Sequence, residues 1–146
     1  MRKKYDISEI LLVSGYFNTD IEDIKFYFRV HYLGEYLYMD ETCYIWTYKV
    51  MIYNGYDYDI KVLGREWNMV DCRGVKTKVI DRDILGDHPI LKPSEIFEYE
   101  SVIYGSSDSA IIYGYYDFLN ILDNRRFSVD IPSISLDTPR SLKEIS

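Results

Sequence analysis

Three observations predict an all-β chain folded as an antiparallel sandwich of about seven strands. From Lys25 onward, apolar and polar residues alternate with period two. Clusters of Gly, Asn, Asp and Pro interrupt that alternation at short intervals, and no helical pattern separates one strand from the next. Tyrosine, which suits a half-buried pleated surface, occurs 16 times in 146 residues. A small open barrel is the alternative way to close such a sheet.

The first 24 residues differ from the rest. Asp6 or Ser8 can cap a short helix over Ile10 to Val13, which Gly15 would stop, and a weaker turn runs through Asp20 to Asp23. Residues 1–24 are therefore read as an N-terminal extension with a short helix that packs on the domain or mediates a contact, or in its plainest form a partly frayed arm.

The sandwich domain is placed at residues 25–136. Phe26, Phe28, Val30 and Tyr32 alternate with Lys25, Tyr27, Arg29 and His31, which gives a first strand with His31 on its solvated face. Leu33 to Thr42 reads as an acidic connection. The second strand sets Tyr44, Trp46, Tyr48, Val50 and Ile52 on one face, and Asn54-Gly55 supplies a tight turn. Tyr58 to Val70 is the third strand, where Gly64 marks a bulge or a close backbone approach.

After the turn Asp71 to Gly74, a strand returns over Val75 to Ile80 and opens into a long loop. Lys92-Pro93-Ser94 turns the chain into Ile96 to Ile103, and Gly105 to Asp108 precedes Ile111 to Leu119. Asp123-Asn124 closes the last hairpin into Phe127, Val129 and Ile131, and Pro132 confines the final stretch to an edge or an exit. Residues 137–146 are read as a short, mobile C-terminal tail.

Composition narrows the function classes. The length suits one domain with a real core. A net charge of −7 opposes binding to a phosphate backbone, so no nucleic-acid partner is expected. The apolar run Ile10 to Val13 is too short for a signal or a membrane span, so no membrane insertion and a cytoplasmic location are expected. Cys43 and Cys72 should then be reduced. Together with His31 and His88 they are too scattered for a zinc site.

The loop Asp81 to His88 is the candidate ligand site. Asp81, Asp83, Gly86, Asp87 and His88 fall within eight residues. Asp81 and Asp83 are the candidate metal ligands, because Asp-x-Asp-x-x-Gly resembles the start of a calcium loop. Leu85 and Lys92 occupy positions where that loop needs oxygen donors, so the choice lies between a weakly held divalent cation and a solvated acidic loop. No other cofactor is expected.

Arg65 and Trp67 share a strand face, either as an exposed cation–π platform for a partner or as a core indole beside a paired arginine. No nucleophile stands beside a base: Ser106 and Ser107 lie in a turn without a neighbouring His, and Cys72 has only Arg73. The expectation is a non-catalytic binding or regulatory domain with a protein partner or a small ligand; the alternative is a sensor or enzyme acting on phosphate compounds with the 81–88 loop as its site. The tyrosine-rich faces leave a homodimer open.

At Val62 and beyond, the residues carry a resemblance. Leu63-Gly64-Arg65-Glu66-Trp67 followed by Asp71 and Gly74, then Gly86-Asp87-His88-Pro89-Ile90-Leu91-Lys92-Pro93-Ser94 running on to Phe97, Tyr99 and Ser101, resemble the ApaG domain family in order and spacing. Tyr48-x-Val50-x-Ile52-x-Asn54, Gly114-x-Tyr116 and Ile131 to Leu136 extend the likeness over about residues 25–136. The resemblance implies an immunoglobulin- or fibronectin-III-like sandwich. It also implies a role tied to magnesium and cobalt efflux in bacteria, or a protein-interaction surface as in the copies fused to other eukaryotic domains. The family usually carries Gly-x-Gly-x-x-Gly where this chain has Asp81-x-Asp83-x-x-Gly86. Two carboxylates there reverse the local charge and argue against pyrophosphate at this loop.

Overall fold

The computed structural model describes residues 24–139 and 141, together with the backbone of 3–4 and 16–17. The short helix expected over Ile10 to Val13 lies outside the described residues. Within them the chain is all strand and turn up to Asp137–Thr138.

The strands are β1 (Lys3–Lys4), β2 (Tyr16–Phe17), β3 (Ile24–Tyr38), β4 (Glu41–Asn54), β5 (Ile60–Asp71), β6 (Lys76–Asp81), β7 (Ile90–Leu91), β8 (Glu95–Gly105), β9 (Ala110–Asn120) and β10 (Arg125–Leu136). They form two antiparallel sheets, one ordered β1-β8-β4-β3-β2 and the other β10-β9-β5-β6, with β7 added beside β5. This is the predicted sandwich.

The period-two pattern decides which side chains fill the gap between the sheets. From the first sheet come Phe26, Phe28, Trp46, Tyr48, Val50 and Ile52; from the second come Val62, Trp67, Ile112, Tyr116, Phe118 and Val129. Rings from opposite sheets interlock, with Phe26 stacked on Tyr116 at 5.4 Å and Phe28 edge-on to Trp67 at 6.2 Å. His31 is exposed, as its strand face requires.

Two connections differ from their sequence reading. Leu33 to Thr42 is not an open loop: β3 and β4 continue pairing to Tyr38↔Glu41, past a bulge between Tyr32 and Gly34. Met39 and Asp40 at the tip have φ of 51° and 66°, the paired left-handed residues of a type I′ turn. Asn54-Gly55 closes no hairpin, because β4 and β5 lie in different sheets. Asn54 is instead a buried hub. Its amide donates to the carbonyls of Tyr58 and Leu91 at 2.9 Å, and its Oδ1 accepts the Tyr56 amide at 2.9 Å.

The described part of the tail, at Asp137, Thr138 and Ser141, is hydrogen-bonded. The Trp46 indole donates to the Asp137 carbonyl at 2.9 Å, and the buried Thr138 and Ser141 exchange backbone–hydroxyl hydrogen bonds.

Gly64 serves both of its predicted roles. The register shifts between Val62 and Gly64, and a Cβ at Gly64 would meet the Asp81 carbonyl oxygen at 2.1 Å. The shift turns Arg65 and Trp67 inward. Pro132 lies in the register shift of β10, which is an edge strand.

Candidate functional site

Arg65 and Trp67 do not form an exposed platform. Trp67 is 4% exposed, and the guanidinium of Arg65 lies 4.2 Å from the centre of its ring, within the sandwich. The alternative arrangement, a core indole beside a paired arginine, is the one present. Arg65 Nε donates to Asp81 Oδ2 at 2.8 Å, and Nη1 donates to the hydroxyls of Tyr48 at 2.7 Å and Tyr99 at 3.2 Å. Tyr99 in turn shares a hydrogen bond with the fully buried Tyr116.

A polar chain therefore runs from Asp81 at the surface into the core. Burial opposes the Arg65 charge, but the oxygens of Tyr99, Tyr48 and Tyr116 outweigh it and raise the pKa, so the group stays cationic. Burial drives the Tyr116 phenol well above its ordinary value; at Tyr99 burial also prevails, over the opposing pull of Arg65. Both phenols stay neutral.

The loop between β6 and β7 is held by its own hydrogen bonds. Ile84 is buried and exchanges two backbone bonds with Asp87, at 2.8 and 3.1 Å. Leu85 and Gly86 between them have φ of 53° and 81°, a second type I′ turn. Asp83 Oδ1 accepts the Gly86 amide at 3.0 Å, and Asp87 Oδ1 accepts the His88 amide at 2.8 Å. His88 Nε2 faces the Arg82 carbonyl at 2.7 Å, and because a carbonyl only accepts, that nitrogen carries the proton.

The structure thus separates the candidate residues. Asp81 is turned to Arg65, whereas Asp83 and Asp87 bind loop amides. Among the described residues, no group of three or more His, Cys, Asp or Glu is placed to hold a metal ion. The amides of Ile84, Gly86, Asp87 and His88 already have acceptors, so they form no ready phosphate cradle. Arg65, Asp81, Asp83 and Tyr99 border a cavity of about 220 Å³.

Sequence reasoning missed Tyr48 and Tyr99 as partners of Arg65, and Tyr116 as the partner of Tyr99. Their inward positions were legible from the alternation, but their convergence depends on how the sheets stack. The Cys72 thiol lies 2.7 Å from the Ser107 hydroxyl, and Arg73 reaches Ser106 at 2.7 Å. No imidazole hydrogen-bonds to these groups among the described residues.

The fold and the site define a small antiparallel β-sandwich of immunoglobulin-like type, with an arginine–tyrosine network in its core. A family model described as the ApaG domain matches residues 35–120. The chain belongs to the ApaG domain family. It is 32% identical over 124 residues to Protein ApaG of Agrobacterium fabrum, covering 85% of this chain and 95% of the relative. It is 33% identical over 117 residues to Protein ApaG of Allorhizobium ampelinum, covering 80% and 89%. The crystal structure of a putative ApaA protein from Bordetella pertussis matches with a TM-score of 0.73 at 25% identity, over 81% of this chain and 95% of that one. No helix of the described residues is long and apolar enough to cross a membrane.

Proposed function

We propose that this chain is a non-catalytic binding domain whose partner is a protein, held on the outer face of the first sheet near the β3–β4 tip. One observation carries the reading: an apolar, aromatic patch there is open to solvent. Tyr36 pairs across from Cys43, Tyr38 from Glu41, Ile45 from Tyr104 and Thr47 from Val102, and directly opposed residues share a face. Tyr38 and Tyr104 are each 61% exposed, and Val102 is 41% exposed. Leu37 and Met39 add exposed apolar surface at the same tip. Contiguous exposed apolar surface with tyrosine at its centre is typical of contact sites.

A part in magnesium or cobalt efflux is, on this reading, exercised through that partner rather than by an ion bound to this chain. The alternative, a phosphate sensor or enzyme cradling its ligand on the 81–88 amides, is less well supported because those amides are occupied. The test compares affinity capture from the native cell by wild type and by the Tyr38→Ser/Tyr104→Ser variant, with sizing chromatography alongside. A partner, or a second copy of the chain, should be held by wild type and lost by the variant. Equal retention by both would remove the patch from consideration.

A further inference from the structure

We infer that the outer face of the second sheet carries a binding groove for a small multiply charged oxyanion, gripped by Arg82 and Arg126. The groove has a volume of about 320 Å³ and lies on the opposite side of the molecule from the proposed protein contact. Both arginines line it, as do His88, Glu66, Asp81 and Asp117.

The charge balance of that lining is the reason. Two of the three carboxylates are already neutralised, Asp81 by Arg65 at 2.8 Å and Glu66 by Lys78 at 3.6 Å, while Asp117 accepts only the uncharged Ser128 hydroxyl at 2.6 Å. Neither Arg82 nor Arg126 makes an ion pair among the described residues. The chain has 24 acidic residues against 17 basic ones, yet on this groove two guanidiniums without an ion pair outnumber the one carboxylate, Asp117, without one. A ligand that supplies the missing negative charge accounts for it.

The fold brings the two together from distant sequence. Arg82 follows β6 at one edge of the sheet, and Arg126 begins β10 at the other. Arg126 sits opposite Leu119 on the face that also holds Asp117 and Ser128. His88 acts as a positioning residue. By donating to the Arg82 carbonyl it fixes the backbone from which that guanidinium extends. Two planar forks of N–H donors suit the oxygens of a phosphate group or of a compact polycarboxylate. The loop amides take no part, so the site owes nothing to a glycine-rich cradle.

The experiment is calorimetric titration of the full chain with inorganic diphosphate and, separately, with citrate at constant ionic strength. The expected result is saturable binding of at least one of them, weakened about tenfold or more in Arg82→Gln and in Arg126→Gln. Arg125→Gln is the control, because Arg125 pairs with Asp123 at 3.8 Å and does not line the groove; it should bind as wild type does. The stronger anion tells phosphate from carboxylate. If neither anion saturates, or if binding persists in the Arg82→Gln/Arg126→Gln double variant, the site is not there. Because these variants leave Tyr38 and Tyr104 untouched, failure here does not bear on the protein contact.

Discussion

Arg65 and Asp81 are directly opposed on the β5–β6 ladder, and their side chains close an ion pair at 2.8 Å. The two ends are unequal. The arginine side chain is 13% exposed and the aspartate 42%.

That inequality predicts asymmetric costs. Arg65→Ala leaves a void beside Trp67 and strips Tyr48 and Tyr99 of a shared donor, and should cost about 3 kcal/mol. Asp81→Ala removes only a solvent-screened partner and should cost about 1 kcal/mol. Urea unfolding with an unchanged m-value measures both. Equal costs would mean that the pair itself, rather than the inward network, holds Arg65 in place.

Tyr99 and Tyr116 predict an alkaline limit. Their folded pKa values are raised by burial, so the folded state holds its phenol protons more tightly than the unfolded chain does. The stability they contribute is fully present below about pH 10, the unfolded tyrosine value, and is lost as pH rises beyond it. The urea midpoint should fall steeply there. In Tyr116→Phe the fall should be shallower, at the expense of about 1 kcal/mol at neutral pH from the lost hydroxyl pairing. An alkaline limb of identical slope in the two proteins would exclude these phenols as its source.

Two glycines with the same backbone angle should respond differently to alanine. Gly34 and Gly114 both have φ of +154°. A Cβ at Gly114 would meet the Glu66 carbonyl oxygen at 2.0 Å, whereas one at Gly34 meets nothing within 4 Å. Gly34→Ala should cost about 1 kcal/mol of backbone strain. Gly114→Ala must push β5 and β9 apart and should cost roughly 3 kcal/mol or more. Thermal melting of the two variants checks the order.

Asn54 should behave as a structural residue. Its three hydrogen bonds tie the end of β4 to the crossover at Tyr56–Tyr58 and to β7. Asn54→Ala leaves those backbone groups buried and unpaired, a loss of about 2–3 kcal/mol. Asn54→Asp keeps only the acceptor role and should be nearly as damaging. Chemical denaturation of both variants gives the answer, and a loss below about 0.5 kcal/mol, the range of an ordinary surface change, would show that water replaces the amide.

Much of the fold was legible because one rule governs it. A strand lying between a core and solvent must alternate, so Phe26, Trp46, Tyr48 and Val62 could be assigned inward from spacing alone. The exceptions share a cause. Leu33 to Tyr38 looked like a loop because both faces of the protruding β3–β4 ribbon meet solvent, which erases the alternation. Asn54 looked like turn chemistry because its own turn-forming tendency masks a partner 37 residues away at Leu91. The site was less legible. Asp81 and Asp83 are neighbours in sequence, yet the strand end points one at Arg65 and the loop turns the other to Gly86.

The amino-acid order alone determined the all-strand class, the burial of alternate residues and the turn positions, because those follow from local backbone preference and from removing apolar surface from water. Sheet stacking and strand order decided the rest: that Arg65 donates to Tyr48 and Tyr99 and reaches Tyr116 through Tyr99, that Arg82 and Arg126 line one groove, and that Tyr38 and Tyr104 share one outer face. Those groups are far apart along the chain, and only sheet order and register set the distances between them.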